Sequence, residues 1–346
     1  MKFKKDHRSL FEKEFREEKI AVKDPLSVLS TKVNWEQFRP TIEKAFSHID
    51  YSQGGRPPFD RLMMFKILIL QEYYGLSDDQ IEFQLLDRMS FQKFIGQGLH
   101  DTVPDAKTIW AFRENLTQAG VINALFNQLK KQLVGHGLIA HKGTMVDASF
   151  AKVPVQRNTP EESKEIKKGE RPDWDENKDR QKDTDANWAQ KGGQNHFGYK
   201  QHIKADVKSK LITKVIVTPA SVHETNIIDS LIDKTDKGQA LYADSAYKKI
   251  TRDEQLKKMG IIPRINSQGY KNRPMTDQER KRNKINSSKR CRVEHIFGWL
   301  KRKAGTIVRG IGIKRVTARI TLRMIGYNLN RAVFLIKNNR KGVQII

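Results

Sequence analysis

Along the first third of the chain, apolar residues recur at intervals of three and four, the spacing of one face of an α-helix. Residues 1–55 carry the pattern only weakly, with short helices expected around Ser9–Glu18 and Trp35–Phe46, and Gly54-Gly55-Arg56-Pro57-Pro58 is a break. Phe59–Leu70 is a mostly apolar helix that Gly75 stops. Ser77, with Gln80 three residues on, forms a capping box and opens a helix carrying Ile81, Leu85 and Met89 at helical spacing. Asp105 caps a third helix with Ile109, Trp110, Phe112 and Leu116, and Val121–Val134 is a fourth. Helix, Gly turn and capped helix suit a DNA-binding unit and a plain structural bundle equally.

At Gly143 the pattern changes. Gly143–Phe150 is predicted as a strand, and residues 156–195 are polar, dense in charges of both signs and interrupted by Pro160 and Pro172, a surface insertion or mobile loop. Tyr199–Val207 and Leu211–Pro219 are two strands joined by the Lys208-Ser209-Lys210 turn. Glu224–Lys234 is predicted as a helix, Gln239–Ala243 as a strand, Thr251–Met259 as a helix and Ile261–Ile265 as a strand. A basic loop then leads to a long helix over Ser287–Lys303, and Val316–Lys337 is an amphipathic helix with Arg319, Arg323 and Arg331. This order is that of an α/β, ribonuclease-H-like mixed sheet with helices on its faces. The expected organisation is an N-terminal segment (1–54), an all-helical, candidate DNA-binding domain (55–136), a catalytic domain (137–310) with its polar insertion, and a basic C-terminal helix and tail (311–346).

Charge adds the partner. The net charge is +25, and from Lys271 to Ile346 there are 21 Lys and Arg against three acids, a net +18 in that stretch alone. Like charges this dense repel one another unless a polyanion neutralises them, which points to nucleic acid rather than to a solvated basic face. The single cysteine, Cys291, rules out an intramolecular disulfide and a multi-cysteine zinc site and fits a reducing cytoplasm. The longest apolar run, Ala332–Ile336, is far too short to cross a bilayer, and the basic N-terminus lacks a secretory apolar segment.

Three acids stand out against this background: Asp147 in Thr-Met-Val-Asp-Ala-Ser, Asp244 in Leu-Tyr-Ala-Asp-Ser-Ala-Tyr, and Glu294 in Arg-Val-Glu-His-Ile-Phe. The first and fourth predicted strands are expected to be neighbours at the sheet centre, so Asp147 and Asp244 lie side by side at strand ends. Two bare carboxylates that close repel unless a cation bridges them, and Mg²⁺ or Mn²⁺ suits hard oxygen ligands. Two such ions about 4 Å apart activate the attacking oxygen and stabilise the leaving one in phosphodiester chemistry. On a helix, Arg290, Glu294 and Lys301 share one face, with Val293, Ile296, Phe297 and Leu300 left for the core. An Arg290–Glu294 i,i+4 ion pair is the simpler reading, but a lone acid among Arg290, Arg292, Lys301, Arg302 and Lys303 suits a metal ligand flanked by phosphate clamps.

Rival acids are weaker. Asp183 and Asp185 lie in the polar insertion, Asp206 before Lys208-Ser209-Lys210 reads as a turn residue, and Glu224 after His223 reads as a helix start. Trp174 and Trp188 either stack on bases or pin the loop to the sheet.

Several of these segments together resemble the DDE transposases of the insertion sequence 5 family, whose C-terminal signature is Tyr-x2-Arg-x3-Glu-x6-Lys. Arg290, Glu294 and Lys301 match it in spacing, while the tyrosine position is Ser287. Asp244-Ser245-Ala246-Tyr247 resembles the motif around the family's second acid. Asp183–Trp188, His196–His202, Val222–Asn226 and, upstream, Gly55–Leu116 also resemble family sequence. The resemblance implies that Asp147, Asp244 and Glu294 are the catalytic, metal-binding triad, that two Mg²⁺ (or Mn²⁺) ions are the cofactors, and that the reaction is DNA strand cleavage followed by strand transfer. It further implies that Arg290 and Lys301 hold phosphates near the cut end, with Arg292 and Arg302 beside them. Lys200 and His202 would then point toward the same site, although a sheet histidine is more often simply satisfied in place. Expected partners are the double-stranded terminal inverted repeats and target DNA, bound by a homodimer or larger assembly, with no membrane; the expected location is the bacterial cytoplasm, at the nucleoid. Two alternatives stay open: a catalytically silent DNA-binding relative, and a structure-specific nuclease on the same fold.

Overall fold

The computed structural model describes residues 24–49, 54, 57–98, 101–249 and 251–339; the expected Ser9–Glu18 helix lies outside them. The helical region comprises Pro25–Lys32, Arg39–Lys44, Arg61–Tyr74, Asp78–Asp87, Met89–Ile95, Ala106–Gln118 and Ile122–Gly135. Its boundaries are written in local chemistry. Asp60 accepts from the Met63 amide to start Arg61–Tyr74, and Ser77 and Gln80 form the reciprocal capping box of the next helix. Extended backbone at Arg88 separates Met89 from the Asp78–Asp87 helix.

The sheet has six strands: β1 (Thr144–Lys152), β2 (Asn187–Lys191), β3 (Gln194–Asp206), β4 (Ile212–Pro219), β5 (Ala240–Ala243) and β6 (Ile262–Ile265). Its order is β2-β3-β1-β5-β6. The second edge of β3 is shared, β2 pairing Gln194–Gly198 and β4 pairing Tyr199–Ala205. β1 runs antiparallel to β3 and parallel to β5, so the first strand and the Gln239–Ala243 strand are neighbours, as expected. This is the mixed α/β arrangement of the ribonuclease-H-like fold.

Three segments differ from expectation. The polar insertion holds helices Pro160–Lys168 and Glu176–Gln181 as well as β2. Its signals were local: Thr159 and Glu162 form a capping box with Pro160 at the first helical position. Gly192 and Gly193 both have positive φ, the two-residue turn that closes a tight hairpin between β2 and β3. The helix expected at Ser287–Lys303 is two helices, Asp277–Arg290 and Arg292–Ala304, separated by one residue, Cys291. The helix expected at Glu224–Lys234 is broken into a tight turn at Glu224–Asn226 and the single-turn helix Ile228–Leu231.

Strand alternation gives the sheet two cores. Val146, Leu241 and Ala243 face Ile228, Leu231, Leu256 and Ile261. Met145, Tyr199, Ile203 and Ala205 face the other way, with Val293, Ile296 and the helical region in one continuous cluster. The long Ile313–Asn339 helix packs against Arg61–Tyr74, Ile122–Gly135 and β4. Its buried Asn328 gives and takes a hydrogen bond with the Ile212 backbone, satisfying both polar groups of that edge-strand residue. Close approach is specified at Gly75, where a Cβ would stand 1.9 Å from the Lys303 carbonyl oxygen, so the helical region meets the end of the Arg292–Ala304 helix backbone to backbone. Among the described residues no helix is long and apolar enough to cross a membrane.

Candidate active site

Asp147 lies in β1 opposite Ile203, and Asp244 follows the last residue of β5. The parallel register pairs Met145 with Tyr242, so two residues further on Asp147 and Asp244 fall in the same row and on the same face. That face is the one covered by the Asp277–Arg290 and Arg292–Ala304 helices. Burial pushes the Asp147 carboxyl above its ordinary range; the Ala148 amide and Arg290 oppose the shift, and the Asp244 charge adds to it. Arg290 Nη1 donates to Asp147 Oδ2 at 2.9 Å, and the Ala148 amide donates to Oδ1 at 2.8 Å. Desolvation outweighs the ion pair here. Asp244 caps the turn that follows it, its carboxylate accepting from the Ser245 amide at 2.6 Å. Tyr247 is buried beside both aspartates, and burial and the surrounding carboxylates Asp147, Glu224 and Asp244 raise its pKa. Its hydroxyl has no hydrogen-bond partner among the described residues, nor has Arg290 Nε.

Glu294 stands exposed in the first turn of the Arg292–Ala304 helix. Among the described residues no three His, Cys, Asp or Glu side chains stand close enough together to hold a metal ion, so the three acids do not converge into one cage. The break at Cys291 puts Arg290 at the end of one helix and Glu294 at the start of the next, which replaces the single helical face expected for them. At the position of the family tyrosine, Ser287 Oγ accepts from Asn266 Nδ2 at 3.0 Å, just beyond β6.

The predicted DNA contacts separate by face. Lys200 pairs with Phe150 and His202 with Ala148, so alternation places both on the side of the sheet away from Asp147. Lys200 Nζ donates to the Val222 carbonyl at 3.0 Å and lies 3.7 Å from Glu224. His202 is wholly enclosed against Thr218, and burial lowers its pKa to about 4. It is a neutral core residue and offers no surface to DNA. Arg292 donates to the Val207 carbonyl, tying its helix to the end of β3. Lys301 and Arg302 are exposed, with no hydrogen bond or ion pair to the described residues.

The rival acids are structural. Asp206 accepts from the Ser209 amide and hydroxyl, Asp183 from Tyr199 and two backbone amides, and Asp185 from the Ile313 amide at the start of the last long helix. Trp174 pins the insertion through Glu162, whereas Trp188 stays half exposed on β2 against Phe197.

A mixed sheet with Asp147 inside β1 and Asp244 just past the neighbouring parallel β5, with helices on its faces, is that of the ribonuclease-H-like class. Known families make the assignment specific. Residues 140–329, more than half of the chain, match the family described as Transposase DDE domain, and residues 14–115 match the Transposase domain (DUF772). The chain therefore belongs to the DDE-domain transposases. It is a DNA transposase, an enzyme of a family that works on DNA and depends on divalent metal. A solved piggyBac transposase synaptic complex with hairpin DNA resembles it over 93% of this chain and 76% of that one, at 11% identity and a TM-score of 0.47.

Proposed function

We propose that Asp147, Asp244 and Glu294 are the catalytic triad of a transposase of the insertion sequence 5 type, cleaving element ends and joining them to target DNA. The supporting observation is the Asp147–Asp244 pair: two carboxylates in one row, one of them desolvated enough that burial outweighs its arginine. Oxygen donors, adjacent like charges and the unpartnered Tyr247 hydroxyl fit a hard divalent cation better than an empty core. Asp147 and Asp244 would hold the ion; Glu294 stands apart from them in this structure, and its place in the set rests on the resemblance of the Arg290–Lys301 segment to the family signature. Two Mg²⁺ or Mn²⁺ ions, when bound, supply the Lewis acidity that activates water or a 3′-hydroxyl and eases departure of the leaving oxygen.

The chain's own residues do the rest. Arg290 opposes the rise that burial imposes on the Asp147 pKa, pairing with its carboxylate at 2.9 Å, and we assign its partly exposed guanidinium to a phosphate near the cut end. Lys301 and Arg302 extend the cationic surface along the next helix, where exposed side chains meet a DNA backbone without breaking existing pairs. Arg292 serves by fixing that helix to the sheet. We assign the catalytic domain to residues 137–310 and the candidate DNA-binding helices to 55–136. Two element ends must be held at once, so the working form is a dimer or larger.

The test is strand cleavage and joining with Mg²⁺ on DNA bearing the element's inverted repeats. Asp147→Ala, Asp244→Ala and Glu294→Ala are each expected to abolish both products; undiminished activity in all three overturns the assignment. An enzyme that cuts but never joins is a nuclease on the same fold.

A further inference from the structure

The end of the Arg61–Tyr74 helix, the turn after it and the Ile313–Asn339 helix enclose a cavity of about 640 Å³ whose walls include none of the aspartate-site residues. Four arginines and three acids line it. Arg113 and Asp78 satisfy each other, with two parallel hydrogen bonds of 2.7 Å. That leaves Arg309, Arg319 and Arg323 against Glu72 and the exposed Asp79. Buried Glu72 lies 3.7 Å from Arg319 Nε and 3.6 Å from Arg323 Nε, within ion-pair range but too far for hydrogen bonds. Neither Nε has an acceptor among the described residues. Burial lowers the Arg323 pKa and the like charge of Arg319 adds to this, while Glu72 opposes both. Two guanidiniums thus share one carboxylate in the cavity wall, and among the described residues Arg323 Nη2 has besides it only the Ile307 carbonyl, at 3.5 Å. Two guanidinium charges against one carboxylate leave this wall of the cavity net positive, so the arrangement favours a second anion.

We propose that this cavity binds a phosphate group, held by Arg319 and Arg323 from within and by Arg309 from the exposed side. Guanidinium forks match phosphate oxygens bidentately, which favours phosphate over a halide or a lone carboxylate. The volume admits more than a bare ion, and Trp110, 52% exposed, supplies a flat apolar wall beside the arginines. Two sources share this chemistry, a DNA phosphodiester and free phosphate. Ala304 in the cavity wall follows Lys301, Arg302 and Lys303 on the same helix, so the DNA source continues the cationic surface described above and rests on that reading. The free-phosphate source does not.

The experiment uses the full chain, with Arg309→Ala, which changes an exposed residue, and Arg319→Gln, which keeps a hydrogen-bonding side chain. Thermal unfolding is followed with inorganic phosphate against chloride at matched ionic strength, and duplex DNA binding is followed against salt. Phosphate is expected to raise the wild-type midpoint, with the shift at least halved in Arg309→Ala and abolished in Arg319→Gln. If DNA is the source, the slope of log K against log salt also becomes shallower by about 0.9 for each DNA phosphate that the variant no longer neutralises. A phosphate shift with an unchanged DNA slope assigns the pocket to free phosphate. The proposal is overturned if both variants match wild type in both measurements. Neither readout involves strand cleavage, so failure of the catalytic assignment at Asp147 leaves this test intact.

Discussion

Two groups of wholly or partly buried acids sit on opposite faces of one sheet, and they are solved differently. On one face Lys204, only 1% exposed, donates to Asp233 and Asp236 at 2.8 Å each. Asp236 also accepts from the Thr144 hydroxyl and the Asp233 amide. Every strong acceptor has a donor from the same chain, and despite burial the Lys204 and Thr235 hydrogen bonds hold the Asp233 carboxyl well below the usual range. On the other face Asp147 lies next to Asp244 with Arg290 as its ion-pair partner, and burial holds its carboxyl above the usual range. A saturated cluster stabilises the fold; a desolvated like-charged pair is left for a cation from outside.

The sharpest way to break this comparison is Asp147→Asn. Cleavage is expected to fall by roughly 10²–10³-fold, the scale of removing one electrostatic element from a transition state. Stability should change by only about 1 kcal/mol, because relief of desolvation and removal of the Arg290 pair act in opposite directions. Thermal unfolding with Mn²⁺ gives a second readout: the ion should stabilise wild type and not the variant. A large stability loss in Asp147→Asn with normal cleavage would make this pair structural after all.

Lys204→Met is the converse experiment. It leaves two carboxylates buried without their cation, and chemical denaturation should show a loss of about 3–5 kcal/mol. Cleavage per folded molecule should be unchanged. A catalytic defect in well-folded Lys204→Met would put the two faces in the same functional unit.

The aspartate pair was legible in the sequence because each acid ends a short apolar run and the order of elements makes those runs neighbours. The face of Lys200 and His202 was not, since it depends on the β1–β3 register, which pairs them with Phe150 and Ala148. Nor was the helix break, because the charges continue across Cys291 without Pro or Gly to mark it. The β2–β3 hairpin did carry a signal, in Gly192-Gly193, that the polarity of the insertion masked. The arginine cavity draws on segments more than 200 residues apart, between Glu72 and Arg323, and no local pattern announces it.

A smaller, pH-dependent effect sharpens the contrast. The folded-state pKa of Asp233 is below its unfolded value, so the stability it contributes is present above that unfolded value, near 3.8, and is lost as pH falls through the folded one. Wild type should therefore hold its full advantage over Asp233→Asn at pH 6 and lose part of it by pH 3, measured as denaturation midpoints. The carboxyl is partly exposed, so solvent screening keeps the effect modest. In metal-free protein the sign for Asp147 is opposite: its contribution is fully present below the unfolded pKa and is lost as pH rises through the raised folded one.

The smallest expected signal tests the assignment of faces itself. His202 belongs to the same face as Lys204, and burial first, then the Lys200 charge, lowers its pKa from 6.5 to about 4. A lowered histidine pKa means the folded state prefers the neutral ring, so its contribution is full above 6.5 and fades as pH falls toward 4. The imidazole resonances of His202 should therefore stay flat between pH 8 and 5.5, with or without DNA. A phosphate contact would require the ring to be charged and exposed, and would move its midpoint upward when DNA is added. A midpoint near 6.5 that rises on DNA binding would place His202 at the DNA surface and undo the assignment of faces made from the β1–β3 register.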